Sequence, residues 1–413
     1  MTSHLSRRGL EQLRRAAERH VGDTRVPGLV ALVGHGDEVH VEALGSLSVG
    51  GPPAARDSIF RIASTTKPLT GAATLALVEE GLVPLDEPVG DLLPELAEPR
   101  VLRRPDGPLD DTVPAGRPVT TRDLLTFTFG FGLDMKMYMS PEPWPVFVAA
   151  EQELSLATLG PPDPTVQPGP DTWIARLGSP PLIAQPGQRW LYNTGAAVLG
   201  VLAARAAGTS FAEVLRTRLL GPLGMTDTGF WTADTARLAT AYQPTPDGLA
   251  VRDEPGGAYS TPPAFEDGAA GLVSTVDDLH RFARMLLDGG AGVLSAEHVG
   301  ALARDQLLPE QKATTSRRPP TRRSSRRALV PPGGRRPSPS AAVGRAQWGP
   351  LPRPRGPLPL QPRIGAGLRR PPRAPGTRGR SLEEPVRTDR ARSSPWELAA
   401  VALPCSTRPR CRR

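Results

Sequence analysis

Apolar positions recur at helical spacing where Ala72, Leu75 and Val78 share a face, with good helix formers between them and Gly81 as terminator. Residues 10–20 carry Leu10, Leu13, Ala16 and Ala17 among Arg and Glu, which predicts an amphipathic helix laid on a sheet. Pro27-Gly28 breaks into the apolar run 29–33. After a turn at 34–37, residues 38–43 alternate Val39, Val41 and Ala43, so the pair reads as a hairpin. His35 falls in that turn and His40 on the polar face of the second strand, both as surface residues.

Further helices are predicted over 144–159, 173–177, 196–207 (small and apolar, stopped by Gly208), 211–219 and 276–287. The last has Leu279, Phe282, Ala283, Leu286 and Leu287 on one face, Thr275 as N-cap and Asp278 as the matching acid. Thr120 is placed to cap a short helix containing Asp123. The aromatic and methionine-rich stretch 127–139 reads as core or pocket wall, and its Gly130 and Gly132 suggest close backbone approach. Residues 99–119 read as loop, and 226–264 show little periodicity.

Charge divides the chain of 413 residues, which is long enough for two domains or for one large domain with an insertion. Residues 311–413 hold 24 Arg and one Lys against four acidic residues, a net +21. Residues 1–310 hold 25 basic against 38 acidic residues, a net −13. Both cysteines, Cys405 and Cys411, lie in the basic part, so the body has no disulfide and no cysteine metal ligand. Residues 1–21 are charged throughout, with no apolar core of signal-peptide length, and no run of about 18 apolar residues occurs. These features predict a cytoplasmic protein that does not span a membrane.

The candidate chemistry lies where Phe60-Arg61-Ile62-Ala63-Ser64-Thr65-Thr66-Lys67-Pro68 meets the helix of 69–81. A serine at a helix start commonly serves as N-cap. It can also act as a nucleophile here, because Lys67 stands three residues on, one turn along the same face. A lysine kept neutral by burial can take the hydroxyl proton, and the positive helix end favours an oxyanion. Tyr192, between a turn and a buried helix, reads from the residues alone as a core-edge amphipathic side chain.

Phe60 to Lys67 in this setting resembles the first motif of the serine beta-lactamase and penicillin-binding-protein superfamily, in particular the class C beta-lactamase-like esterases. The resemblance runs from about residue 12 to about residue 310. It implies an α/β fold, an antiparallel sheet flanked by helices with a mostly helical insertion: residues 1–83 in the α/β domain, 84–269 inserted, and 270–311 returning to it. The active site would lie at their junction.

The resemblance makes Tyr192 the second-motif tyrosine of Tyr192-Asn193-Thr194, with Thr194 in place of the commoner amide or serine, and puts Asn193 and Thr194 in the polar network. It implies that Ser64 attacks a carbonyl carbon while Lys67 and Tyr192 share the proton, and that the Ser64 amide helps hold the oxyanion. The implied activity is that of a serine hydrolase acting on small ester or amide substrates. Beta-lactamase or D-amino-acid peptidase activity, or an inactive binding protein with a basic tail, are the rivals. No metal or organic cofactor is implied, and the oligomeric state is left open.

The family's third motif, K-T-G or H-x-G or W-x-G on a later strand, is not readable. His298-Val299-Gly300 matches H-x-G, but its neighbours read as helix, and Trp348-Gly349-Pro350 ends in a proline that cannot donate an oxyanion hydrogen bond. Residues 312–413 are instead rich in Arg and carry 19 of the 49 prolines within 311–413. The hypothesis is a frameshift near 312–317, motivated by loss of both family pattern and charge balance at one point. The competing account is a natural basic tail binding nucleic acid or an acidic surface, although it lacks interleaved aromatics. Tryptic peptides from the tail, with an uninterrupted gene sequence, would sink the frameshift.

Overall fold

The computed structural model describes residues 5–313 apart from 23, 139, 141, 155 and 157–161. The Arg- and Pro-rich stretch with Trp348 lies, from residue 314 on, outside the described residues.

The chain opens with α1 (Arg7–Glu18), capped by the Ser6 hydroxyl, and the antiparallel hairpin of β1 (Gly28–His35) and β2 (Glu38–Gly45). α1 lies against β2, where Arg14 reaches Glu42 at 3.8 Å. β3 (Phe60–Arg61) leads through a 3-10 turn at Ala63–Thr65 into α2 (Thr66–Glu79). α2 is buried nearly all round, from Thr66 through Leu77, because small and apolar side chains occupy every face. It is the central helix of the core.

The middle of the chain is mostly helical, with two short sheets. β4 (Arg100–Leu102) pairs with β5 (Thr112–Pro114), a hairpin too short to show as alternation within 99–119. Then follow α3 (Thr121–Leu125), α4 (Met135–Tyr138), α5 (Pro145–Val148), α6 (Pro170–Leu177) and α7 (Thr194–Ala207). α5 widens into a π-helical turn over Ala149–Glu153, and the far end of the helix expected over 144–159 lies in part outside the described residues.

α7 packs on α2 and α3 through small residues. A Cβ on Gly195 would meet the Leu124 carbonyl at 2.7 Å, so only glycine fits there. α8 (Phe211–Leu215) passes through a π turn at Arg216–Leu220 into α9 (Gly221–Leu223), where Pro222 has no N–H to continue the ladder.

β6 (Ala241–Thr245) and β7 (Gly248–Asp253) form a hairpin in the stretch that shows no periodicity, because Pro244 and a register shift at Ala241/Tyr242 interrupt its alternation. The chain then returns through β8 (Val273–Ser274), antiparallel to β3, to α10 (Val276–Leu287), which lies against β1. α11 (Ala296–Ala303) and α12 (Pro309–Ala313) follow.

Thr120 and Asp123 form the full capping box. Thr275 also caps its helix, but the Asp278 carboxylate turns away to the Asp227 amide and the Thr228 hydroxyl, each at 2.8 Å. One continuous hydrophobic cluster joins α2, α7, α8, Phe129, Phe131 and Trp173 to Phe282 and Met285 of α10.

Candidate active site

Backbone pairing places the serine. β3 is held by β8, and the Ile62 amide donates to the Leu272 carbonyl at 2.9 Å. Ala63 then takes φ +42°, a conformation an L side chain rarely adopts, and turns the chain so that Ser64 stands exposed ahead of α2. Neither the 3-10 turn nor α2 has a side-chain cap, so the N-cap reading of Ser64 does not hold. Its oxygen meets two other groups: Lys67 Nζ at 3.0 Å and Tyr192 Oη at 2.8 Å.

Tyr192 is anchored by its backbone. Its amide donates to the Leu133 carbonyl at 2.9 Å, and the Leu133 amide donates back at 2.8 Å. Gly132, at φ +139°, permits this approach, because a Cβ there would lie 2.6 Å from the Tyr192 carbonyl oxygen. Asn193 then adopts φ +81°, ψ −66°, and the Thr194 amide donates back to the Tyr192 carbonyl at 3.2 Å. This is a γ-turn of the rare, strained hand, and it brings the chain into α7 directly after the tyrosine. Phe127 meets the Tyr192 ring edge-on with centroids 6.1 Å apart, and Trp190 lies at 5.6 Å. Phe127 thus lines the site, while Phe129 and Phe131 of the same aromatic stretch are core.

Lys67 bridges the two halves. Besides Ser64, its Nζ donates to the Ala269 carbonyl at 2.8 Å and stands 4.6 Å from the centre of the Tyr192 ring. Burial holds the amine below the ordinary lysine range, although Tyr192 and Asp267 act in the opposite direction. Asp267, not singled out from the sequence, is buried, and its carboxyl is pushed up by burial against the pull of the Ala269 amide and the Lys67 charge. The available signal was weak: an acid ahead of a Gly-Ala-Ala-Gly run.

Ser64, Lys67 and Tyr192 are therefore brought together. Asn193 adjoins them as the turn residue and makes no side-chain cap to α7. Thr194 is not brought into the network: its side chain is buried in the first turn of α7, and its hydroxyl has no hydrogen-bond partner among the described residues. The helix that places it directs it into the core. His298 sits in α11 and pairs through Nδ1 with Glu79 at 2.6 Å, at the opposite end of α2 from Ser64, about 20 Å away along the helix. Its H-x-G match is thus remote from the serine. A cavity of about 260 Å³ opens beside Ala63, walled by Phe60, Arg61, Arg252 and Tyr259.

Residues 13–334 match the Beta-lactamase family, with the serine, lysine and tyrosine inside the matched span. The chain belongs to the Beta-lactamase family. The match continues past residue 310, where the sequence reading ends the resemblance. An uncharacterized protein of Mycobacterium tuberculosis is 40% identical over 268 residues, 63% of each chain. Esterase EstB of Burkholderia gladioli is 32% identical over 303 residues, covering 69% of this chain and 71% of EstB.

Among solved structures, EstCE1, described as a hydrolase with promiscuous acyltransferase activity, superposes with a TM-score of 0.58 at 24% identity, covering 70% of this chain and 75% of its own. The fold is thus the beta-lactamase and penicillin-binding-protein-like α/β fold. The chain spans 63% of the length of the mycobacterial relative. Among the described residues no single helix is long and apolar enough to cross a membrane.

Proposed function

We propose that this chain is a serine hydrolase that takes an acyl group onto Ser64, with carboxylic esters as its substrates. The observation that carries the reading is the convergence of an amine and a phenol on one hydroxyl oxygen, at 3.0 and 2.8 Å. Ser64 Oγ adds to the ester carbonyl carbon as its proton passes to Lys67 Nζ or Tyr192 Oη, which act as one coupled pair. The carbonyl oxygen becomes an oxyanion at the amino end of α2, where the Ser64 amide and the helix end favour negative charge. Collapse of the adduct expels the alcohol, which takes the proton from the pair. Water then adds to the acyl-Ser64 ester, gives its proton to the same pair, and releases the acid as Ser64 recovers its hydroxyl proton.

Low basicity suits Lys67 to this role, since the neutral amine has the lone pair that accepts the proton. The aromatic wall of Phe127 and Trp190 beside Tyr192 fits a partly apolar substrate. The esterase among the relatives supports the choice of ester over amide. The test is a panel of p-nitrophenyl esters of increasing chain length, a chromogenic cephalosporin and D-alanyl peptides, each with the full chain and with Ser64→Ala. Ester turnover that disappears in Ser64→Ala is the expected result. Turnover of the cephalosporin or the peptides without the esters would replace the substrate class, and ester turnover that survives in Ser64→Ala would remove the serine from the chemistry.

A further inference from the structure

The carbonyl that holds Lys67 belongs to a residue whose own amide is held from behind. Ala269 accepts from Lys67 Nζ at 2.8 Å, and its N–H donates to Asp267 Oδ1 at 2.7 Å. The turn closes with the Gly271 amide on the Asp267 carbonyl at 2.9 Å, and it is clamped to its neighbours. The Thr70 hydroxyl of α2 donates to the Gly268 carbonyl at 2.7 Å. A Cβ on Gly268 would meet the Ala196 carbonyl of α7 at 2.5 Å. Few ways remain for this segment to move, so the position of the Ala269 oxygen follows that of the Asp267 carboxylate.

We propose that Asp267 is a positioning residue for Lys67, tying the Ala269 amide so that the Ala269 carbonyl orients the amine towards Ser64. In its ionised form Asp267 also opposes the amine's loss of charge. The inference rests on the reading of Lys67 as the proton acceptor for Ser64. The amine meets Ser64, the Tyr192 ring and the Ala269 carbonyl, and Asp267 acts on it by charge. Asp267 acts in turn on Tyr259, whose hydroxyl is buried without a partner among the described residues and whose other charged neighbours are Arg61, Arg252 and Asp253.

Geometry and charge can be separated. An asparagine at 267 retains an oxygen to accept the Ala269 N–H but has no charge. An alanine loses both. Burial alone drives the amine towards neutrality, and a buried carboxylate nearby resists it. Removing that charge in Asp267→Asn therefore makes Lys67 deprotonate at lower pH.

Lys67, Lys136 and Lys312 are the lysines of the chain, so competitive acetylation with peptide mapping can follow Lys67 against pH with Lys136 as internal reference. In the full-length protein, the Lys67 acetylation midpoint is expected to fall to lower pH in Asp267→Asn. The acidic limb of Ser64 labelling by a fluorophosphonate should move with it. Asp267→Ala should label at least tenfold more slowly at every pH. An unmoved Lys67 midpoint in Asp267→Asn, with only a lower melting temperature in both variants, would overturn the proposal and leave Asp267 a turn-forming residue. If the Lys67 midpoint moves but Ser64 never labels in the wild type, Asp267 keeps its place beside the amine and the hydrolase reading fails separately.

Discussion

The phenol oxygen of Tyr192 lies 2.8 Å from the hydroxyl oxygen of Ser64, although 128 residues separate them in the chain. The contact needs two independent pieces of backbone: the Ala63 kink that lifts the serine clear of α2, and the Leu133–Tyr192 bridge followed by the γ-turn at Asn193. Tyr192→Phe keeps the ring against Phe127 and Trp190 and removes only the oxygen. It should lower kcat/KM for esters by about 10²- to 10⁴-fold, the usual range for one positioned proton-transfer group. The melting temperature should stay close to that of the wild type, as circular dichroism would show.

Lys67→Arg separates charge from basicity. The guanidinium can still donate to the Ala269 carbonyl, but it remains protonated at any working pH. Ester turnover should fall at least 10²-fold with no recovery at high pH. A variant that regains activity as pH rises would show that another group takes the proton.

Wild-type activity should rise with pH as Lys67 loses its proton. Because burial lowers the folded-state value below that of the unfolded chain, this rise comes below the ordinary lysine range. The same shift fixes a sign for stability. Between the folded and unfolded values of Lys67 the unfolded chain binds more protons, so this residue's contribution to stability increases with pH across that window. Chemical unfolding at a series of pH values, compared with Lys67→Met, measures it. The slope contributed by residue 67 should be positive in the wild type and absent in the variant.

Much of this site was legible in the sequence, and the part that was not has identifiable causes. Ser64 and Lys67 declare themselves because three residues on a helix is one turn, a purely local relation. Tyr192 was singled out through resemblance, since nothing near residue 192 indicates which serine it meets. Thr194 was placed in the polar network by its position in the motif, but the first turn of α7 directs its side chain inward. Asp267 went unnoticed because it acts by charge on a residue 200 positions earlier and holds a backbone amide, neither of which leaves a periodic trace. The β6–β7 hairpin was hidden by Pro244 and the irregular register beside Tyr242.

Gly132→Ala tests the support behind the tyrosine. The new Cβ would lie 2.6 Å from the Tyr192 carbonyl oxygen, at φ +139°, so the bridge must shift. A loss of about 1–3 kcal/mol in unfolding free energy is expected, with a larger fractional loss of kcat than for a glycine away from the site such as Gly300, which has open space around it.

Asp123 carries a structural prediction away from the chemistry. Burial alone would raise its carboxyl, but the hydrogen bonds from Arg117 and Thr120 outweigh it and hold the group below its ordinary value. Its stabilising contribution is therefore present above the unfolded carboxylate value near pH 4 and is lost as pH falls through the folded one. Asp123→Ala should cost about 1–2 kcal/mol at neutral pH, as for a lost helix cap, and the difference from wild type should narrow on acidification. Urea unfolding at neutral pH and near pH 3 gives both quantities.

The central claim is that the Ser64 hydroxyl is made reactive by the amine and the phenol in contact with it. Its most direct measurement is site-mapped mass spectrometry of the full-length protein after treatment with a fluorophosphonate, alongside Lys67→Arg and Tyr192→Phe. A single adduct on Ser64 that forms readily in the wild type and at least tenfold more slowly in both variants is the predicted result. An unlabelled Ser64 in folded protein, or labelling at an unchanged rate in the two variants, would contradict it.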